Sequence, residues 1–275
     1  MGFLHLDGSP VTEEILGFGG SGLIVRAGQF AVKIPRLWQG VDILGNGTLT
    51  PEAGEFDMRQ FRMDQINREK AIFKRLEGCH GVVPCYDLDS PDLSIRMKYI
   101  GNGDLRSYLK REKPNRQTQL MWLTSMAHTL SEIHRRRVIV ADIRSDNFLI
   151  DNDQSIYITD FGESSLMPLD WHMKDPNADG ESVMTDIGHF GTVMFEVVTG
   201  QHHKFDLLQD WKSGEPYSWL SRETLPSTDS IWLGHIIEAC WSEGSFASAD
   251  DLAAALDIER TNPDDTTESA SCLAA

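Results

Sequence analysis

Hydrophobic positions follow two different periods along this chain, and the change between them divides the sequence. Residues 11–34 read VTEEILGFGGSGLIVRAGQFAVKI, where short apolar runs alternate with Gly-rich turns, so two or three strands are predicted. The segments GVVPCYDLD and LSIRMKYI predict a further strand pair, and residues 58–76 predict one helix. The first third of the chain is therefore expected to be β-rich.

Farther along, the apolar positions take a helical period. Apolar residues over 118–137 recur three and four positions apart and predict a helix. Three short strands are expected in VIVAD, FLID and SIYITD. The stretch MTDIGHFGTVMFEVVTG is apolar on nearly all sides and predicts a buried helix ending at Gly200, with further helices over 229–241 and 248–257. The whole pattern indicates an α+β fold.

Composition narrows the possible functions. The 275 residues carry a formal charge of −17, which disfavours broad binding to nucleic acid or anionic lipid. Four widely spaced cysteines without a CxxC pair suit reduced thiols. No apolar run reaches the length of a membrane span, and MGFLHLDGSP lacks the features of a secretory signal. A cytoplasmic or nuclear location is expected.

Two features of the first third suit a bound polyphosphate. Gly17, Gly19 and Gly22 form G-x-G-x-x-G, which lets backbone N–H groups approach phosphates, although a Gly-rich hairpin turn explains the same residues. Lys33 lies in the strand FAVKI and could contact phosphates, or could be a solvated strand lysine. Glu69, in the predicted helix, is the best carboxylate to pair with Lys33.

Oxygen ligands are concentrated in VADIRSDNFLIDNDQSIYITDFGES, residues 140–164. Asp142 and Asn147 have the spacing D-x-x-x-x-N, and Asp160 follows a predicted strand in ITDFG. Hard oxygen groups of this kind suit Mg²⁺ with substrate phosphates, and a further carboxylate can orient a nucleophilic hydroxyl. Asp and Asn are also common turn formers, so each piece alone has an ordinary structural explanation.

Taken together and in order, these motifs resemble the signature set of the eukaryotic protein kinases, over residues of about 11–258. The resemblance implies a bilobal α+β fold with a small β-rich N-lobe, one main helix and a larger, mostly helical C-lobe. It implies an N-lobe over 1–98 with an insertion at about 36–57, a hinge over 99–103, a C-lobe over 104–258 and a disordered tail over 259–275.

The resemblance also implies a role for each matching residue, with ATP and Mg²⁺ bound. Gly17, Gly19 and Gly22 would cover the phosphates, and Lys33 held by Glu69 would contact them. Asp142 would be the base, Arg144 would take the place of a lysine near the γ-phosphate, and Asn147 and Asp160 would hold Mg²⁺. The adenine would be bound by Ala31, Met97 as gatekeeper, the backbone of Lys98, Tyr99 and Ile100, and Leu149.

The chain departs from the family at the catalytic loop and after it. The usual H-R-D reads Val140-Ala141-Asp142, so the domain is of the non-RD type, and the A-P-E motif is absent. An arginine before the catalytic aspartate normally pairs with a phosphate on the activation loop. Because Ala141 stands there, we expect any activity to be independent of loop phosphorylation.

Three functions stay open on these residues. An active kinase transferring the ATP γ-phosphate to a protein hydroxyl is preferred, because every phosphate, metal and base position is filled. A pseudokinase scaffold and a small-molecule kinase are the alternatives. Serine or threonine is preferred to tyrosine as the acceptor, although Arg144 leaves that choice open. The terminal CLAA fits the prenylation pattern, so farnesylation of Cys272 is an alternative to an unmodified terminus.

Overall fold

The computed structural model describes residues 2–20, 22–38, 57–205 and 219–261. These residues divide into two compact units. The first unit combines the chain up to Gly78 with two later segments, Val83–Tyr99 and Asp160–Ser164. The second unit contains Cys79–Val82, Ile100–Thr159 and the chain from Ser165 onward.

The first unit is built on a five-stranded antiparallel sheet. Its strand order is Ile15–Phe18 (β2), Leu23–Ala27 (β3), Phe30–Ile34 (β4), Ile95–Lys98 (β7) and Cys85–Tyr86 (β6). A two-stranded sheet of β1 and β5, which the sequence did not predict, accompanies it. Most of the predicted insertion lies outside the described residues. The elements of this unit are β1 Phe3–Leu4, β2 Ile15–Phe18, β3 Leu23–Ala27, β4 Phe30–Ile34, β5 Leu37–Trp38, α1 Met58–Arg75, β6 Cys85–Tyr86 and β7 Ile95–Lys98.

Helix α1 matches its prediction closely because a cap and an apolar face define it. The Asp57 side chain accepts a hydrogen bond from Gln60 N at 3.0 Å, which satisfies one of the unpaired N–H groups at the helix start. Ile66 and Phe73 are buried in the core. Phe61 of the same helix, by contrast, is 36% exposed.

The second unit is mostly helical and contains two small antiparallel sheets. One pairs Phe148–Ile150 (β9) with Ile156–Ile158 (β10), and the other pairs Val138–Ile139 (β8) with Ser165–Leu166 (β11). The sequence did not predict helix Leu105–Arg111 (α2). The elements are α2 Leu105–Arg111, α3 Arg116–Arg135, β8 Val138–Ile139, a 3₁₀ turn Ser145–Asn147, β9 Phe148–Ile150, β10 Ile156–Ile158, β11 Ser165–Leu166, α4 Val183–Thr199, a second 3₁₀ turn Arg222–Thr224, α5 Gly234–Trp241 and α6 Ala249–Thr261. The predicted α+β class is confirmed, with one β-rich and one larger, mainly helical unit.

Helix α4 is buried along most of its length, as its sequence predicts. Ser182 and Thr185 form a capping box at its start, and Gly200 ends it with φ of 72°, a left-handed conformation that glycine adopts without strain. None of the helices in the described part of the chain is long and apolar enough to cross a membrane.

Two predicted boundaries in the second unit need correction. Helix α5 begins at Gly234 rather than at residue 229, because Ser230 and Leu233 adopt φ of 61° and 59°, which an α-helix does not allow. Helix α6 continues to Thr261, three residues into the stretch predicted as a disordered tail. Residues 262–275, including Cys272, lie outside the described residues.

Gly191 allows α4 and α5 to pack closely. A Cβ at Gly191 would lie 2.6 Å from Cys240 Cβ and 3.1 Å from Trp241 Nε1, and both of these residues are buried. We predict that Gly191→Ala lowers the free energy of unfolding by about 1–3 kcal/mol through overpacking. Urea unfolding measures this, with Ala254→Leu on the exposed face of α6 as a control expected within about 0.5 kcal/mol of wild type. Equal stability of Gly191→Ala and wild type would show that this contact is not tight.

Candidate functional site

A single buried ammonium group joins three parts of the first unit. Lys33 Nζ lies 2.8 Å from Glu69 Oε1 and 2.7 Å from Glu69 Oε2. The same nitrogen lies 2.8 Å from Asp160 Oδ1. Lys33 and Glu69 are 2% and 1% exposed, so solvent does not compete for this pair. The ion pair that the sequence predicts between Lys33 and Glu69 is present, and Asp160 joins it.

The backbone after Asp160 is fixed against the same carboxylate. Phe161 N donates to Glu69 Oε1 at 3.1 Å, and the fully buried Phe161 ring packs edge-on against Phe73 at 5.1 Å between centroids. Asp160 adopts φ of 60°, a left-handed conformation that Asp tolerates better than most residues, and Gly162 N donates to Asp160 Oδ1 at 3.3 Å. The D-F-G segment is thus held by both its backbone and its aromatic ring.

Charge in this cluster is not balanced. Burial alone would lower the pKa of Lys33, but the carboxylates of Glu69 and Asp160 outweigh it and raise that pKa. Burial raises the pKa of Glu69, and Lys33 opposes this rise. Two carboxylates share one ammonium, so the cluster carries one excess negative charge when all three groups are ionised. A cation next to Asp160 would compensate that charge.

The Gly-rich motif forms the turn between β2 and β3, and it closes with a hydrogen bond from Gly19 N to Gly22 O at 3.0 Å. A Cβ at Gly22 would lie 3.0 Å from Cγ and Cε of Lys33 and from Ile34 O. A Cβ at Gly19 would be 4.0 Å from Asp160 Oδ2. The absence of side chains at these glycines therefore allows the turn to approach Lys33 and Asp160.

The predicted adenine-binding residues divide between the two units. In the first unit, Ala31 of β4 lies opposite Met97 of β7, and Met97 is buried. Next to the paired strands β4 and β7, Tyr99 N donates a hydrogen bond to Gln29 O, and Lys98 N donates to Pro84 O. Ile100 and Leu149 belong to the second unit, where both lie in the described part of the chain. Their roles toward a nucleotide stay predictions.

Asp142 and Asn147 are in contact within the second unit. Asn147 Nδ2 donates to Asp142 O at 2.9 Å and to Asp142 Oδ2 at 3.0 Å. These bonds use the nitrogen of the amide, so the oxygen is the atom suited to a cation. Arg144 is half exposed, and its Nε lies 3.3 Å from Asp142 Oδ2.

Asp186 holds the backbone that leads to Asp142. The fully buried Asp186 carboxylate accepts hydrogen bonds from Val140 N and Ala141 N, each at 2.8 Å, and lies 2.9 Å from His134 Nε2. The sequence gave His134 no role. The only sequence signal for His134 was its position at the end of a predicted helix.

A second network that the sequence did not reveal supports the 3₁₀ turn Ser145–Asn147. The buried Glu196 accepts from Arg106 Nε at 3.0 Å and also from Ser145 Oγ. Arg106 in turn pairs with Asp146. Helices α2 and α4 thereby fix the turn that carries Asn147.

Each unit contains an oxygen group that is chemically suited to Mg²⁺. The described residues include no group of three His, Cys, Asp or Glu side chains that would bind a metal by themselves. Mg²⁺ usually takes one or two carboxylates, waters and substrate phosphates instead of a complete protein cage. Asp160, with the excess negative charge of its cluster, and the amide oxygen of Asn147 are ligands of that kind.

Comparison with known proteins finds similarity to protein kinases. A family model of the protein kinase domain matches residues 53–181, which include Glu69, Asp142, Asn147 and Asp160 but not the Gly-rich turn. Serine/threonine-protein kinase CTR1 of Arabidopsis thaliana is 25% identical over 83% of this chain and 30% of its own length. The probable cAMP-dependent protein kinase catalytic subunit of Encephalitozoon cuniculi (strain GB-M1) is 31% identical over 56% of this chain and 52% of its own. The chain therefore spans about half or less of these relatives.

Gly22 gives a direct test of the cluster geometry. We predict that Gly22→Ala displaces the Lys33 side chain and speeds labelling of its amine by an acylating reagent, because burial and a raised pKa protect that amine in the wild type. Gly17→Ala is the control, since a Cβ there meets nothing within 4 Å. Mass spectrometry of the labelled peptide measures the rate. Unchanged labelling of Lys33 in Gly22→Ala would contradict the close approach.

Proposed function

Because the chain carries a protein kinase-like domain, we propose that it is an ATP- and Mg²⁺-dependent phosphotransferase that acts on a protein hydroxyl. The observation that carries the proposal is the cluster of the buried Lys33–Glu69 pair with Asp160, which the glycines of the turn approach closely. Phosphoryl transfer depends mainly on positioning and on charge stabilisation, and this cluster supplies both.

Each group has a defined task in the proposed reaction. The Gly turn offers backbone N–H groups, and Lys33 offers a point charge to the ATP phosphates. Mg²⁺, bound through Asp160 and Asn147, would neutralise charge on the transferred phosphoryl group. Asp142 would orient the acceptor hydroxyl and take its proton. The acceptor oxygen then bonds to the γ-phosphorus while the bond from that phosphorus to the bridging oxygen breaks, and ADP leaves.

The geometry of the catalytic loop favours an active enzyme over a scaffold that only binds nucleotide. The usual His and Arg before the aspartate are missing, yet the N–H groups of Val140 and Ala141 are both held by Asp186. Backbone hydrogen bonds do not depend on the side chains at these two positions. The contact between Asn147 and Asp142 likewise keeps both groups oriented.

The acceptor is proposed to be serine or threonine of a protein. Support comes from the names of two relatives, a serine/threonine-protein kinase and a cAMP-dependent protein kinase catalytic subunit. The chain has no A-P-E motif, which in the family helps to shape the peptide site. A small-molecule hydroxyl is therefore the second candidate acceptor.

A transfer assay with γ-labelled ATP separates these functions. We predict that the wild type transfers label to protein and that Asp142→Asn lowers the rate by about 10²-fold or more, because the general base is lost. Asp153→Asn, an exposed carboxylate of the same unit, should keep the wild-type rate. Label found only in a small molecule would replace the protein acceptor. Absence of transfer from an enzyme that still binds ATP would show a nucleotide-binding scaffold instead.

A further inference from the structure

A cavity of about 280 Å³ lies in the second unit, beside the end of α3. Its lining comes from four separate stretches of chain: the end of α3 with Arg137, residues 171–174, Val183 at the start of α4, and residues 247–250 around the start of α6. Lys33, Asp142, Asn147 and Asp160 do not line it. The cavity is therefore distinct from the residues assigned to phosphoryl transfer.

Two cationic side chains in this cavity have no carboxylate partner among the described residues. The Arg137 guanidinium donates only to backbone oxygens, Leu169 O at 3.2 Å and Arg135 O at 3.5 Å. Lys174 makes no hydrogen bond or ion pair within the described part of the chain. Exposed cations of this kind are often simply solvated, but here they meet in one concavity of a chain with a formal charge of −17.

The one carboxylate in the lining is already compensated. Asp250 accepts a hydrogen bond from Ser131 Oγ at 2.6 Å and forms an ion pair with Arg135. Both contacts lower the pKa of Asp250, so it stays ionised and engaged with these partners. Arg137 and Lys174 therefore leave an excess of positive charge in the cavity.

A buried histidine gives a second, independent indication of a ligand. His134 lines the cavity and is 6% exposed. Its Nε2 is hydrogen-bonded to Asp186, but its Nδ1 is buried with no partner among the described residues. Buried polar atoms without a partner are uncommon in native proteins. His134 therefore brings to the lining a buried polar ring atom that no described protein group satisfies.

We propose that this cavity binds a phosphate dianion. Arg137 and Lys174 offer two positive charges with several N–H donors, which suits a group with two negative charges and three acceptor oxygens better than it suits a carboxylate. Trp171, half-buried in the lining, offers an apolar surface to the carbon side of an ester. The phosphate could belong to a phosphorylated side chain or to free phosphate, and both present the same chemistry.

The position of the cavity gives the bound anion a route to the catalytic loop. His134 lines the cavity and bonds Asp186 through Nε2, and Asp186 holds Val140 N and Ala141 N. A phosphate in the cavity would thus stabilise the backbone before Asp142 through one histidine and one carboxylate. This route differs from the usual pairing with an arginine at position 141, which is alanine here.

Calorimetry on the full chain without nucleotide tests the site. O-phosphoserine and inorganic phosphate are titrated into wild type, Arg137→Gln and Lys174→Gln, with Lys110→Gln as a control that removes an exposed charge of α2 outside the cavity. We expect wild type and Lys110→Gln to bind and each cavity variant to lose about tenfold or more in affinity, since each lost contact is charge-assisted. Tighter binding of phosphoserine identifies a phosphorylated side chain as the ligand, and tighter binding of phosphate identifies the free ion.

Two outcomes would overturn the inference. One is the absence of binding of both probes at millimolar concentration, with unphosphorylated serine as the baseline. The other is binding that persists in Arg137→Gln and Lys174→Gln but disappears in Lys33→Met, which would place the anion at the Gly turn. Hydrogen exchange locates the ligand independently: bound phosphoserine should slow exchange over residues 171–174, and unchanged exchange there despite measurable binding would also contradict the site.

Discussion

The sharing of one ammonium group by two carboxylates is the interaction on which the first unit depends. Lys33 comes from a strand, Glu69 from a helix and Asp160 from a segment far along the sequence, and all three meet at 2.7–2.8 Å. Removal of one partner from a buried pair of this kind costs about 3–5 kcal/mol, because the remaining charge stays buried. The same arrangement leaves one net negative charge when all three groups are ionised, and a cation bound at Asp160 would compensate it. Its structural role and its proposed chemical role therefore rest on the same atoms.

In the second unit, the Asp186 carboxylate holds the loop through its backbone and not through its side chains. One fully buried carboxylate accepts from two consecutive N–H groups and from His134. Because the N–H groups belong to the backbone, the residues at positions 140 and 141 can change to Val and Ala without loss of the anchor. The residues Val140 and Ala141 thus leave the backbone before Asp142 supported.

Periodicity and motif order predicted much of this arrangement, for identifiable reasons. The helix over 118–137 and the buried helix ending at Gly200 follow from patterns contained within each segment. The pairing of Lys33 with Glu69 was predicted because both motifs occur in a known order. By contrast, the αL conformation of Leu233 that delays α5 has no local signal, since any non-glycine residue there is unexpected. The bond between His134 and Asp186 joins positions 52 residues apart, so it exists only through tertiary packing. The cavity beside α3 is likewise formed by four stretches that are separate in sequence.

The most direct test that the cluster of Lys33, Glu69 and Asp160 binds a nucleotide is the dependence of ATP binding on the metal. Calorimetric titration of a non-hydrolysable ATP analogue, with and without Mg²⁺, should show binding that strengthens when the metal is present, because the metal compensates the charge at Asp160. Lys33→Met should weaken binding in both conditions, whereas Asp160→Asn should remove mainly the effect of Mg²⁺. If the wild type bound no analogue in either condition, or if Mg²⁺ made no difference to it, the cluster would not be a site for Mg·ATP.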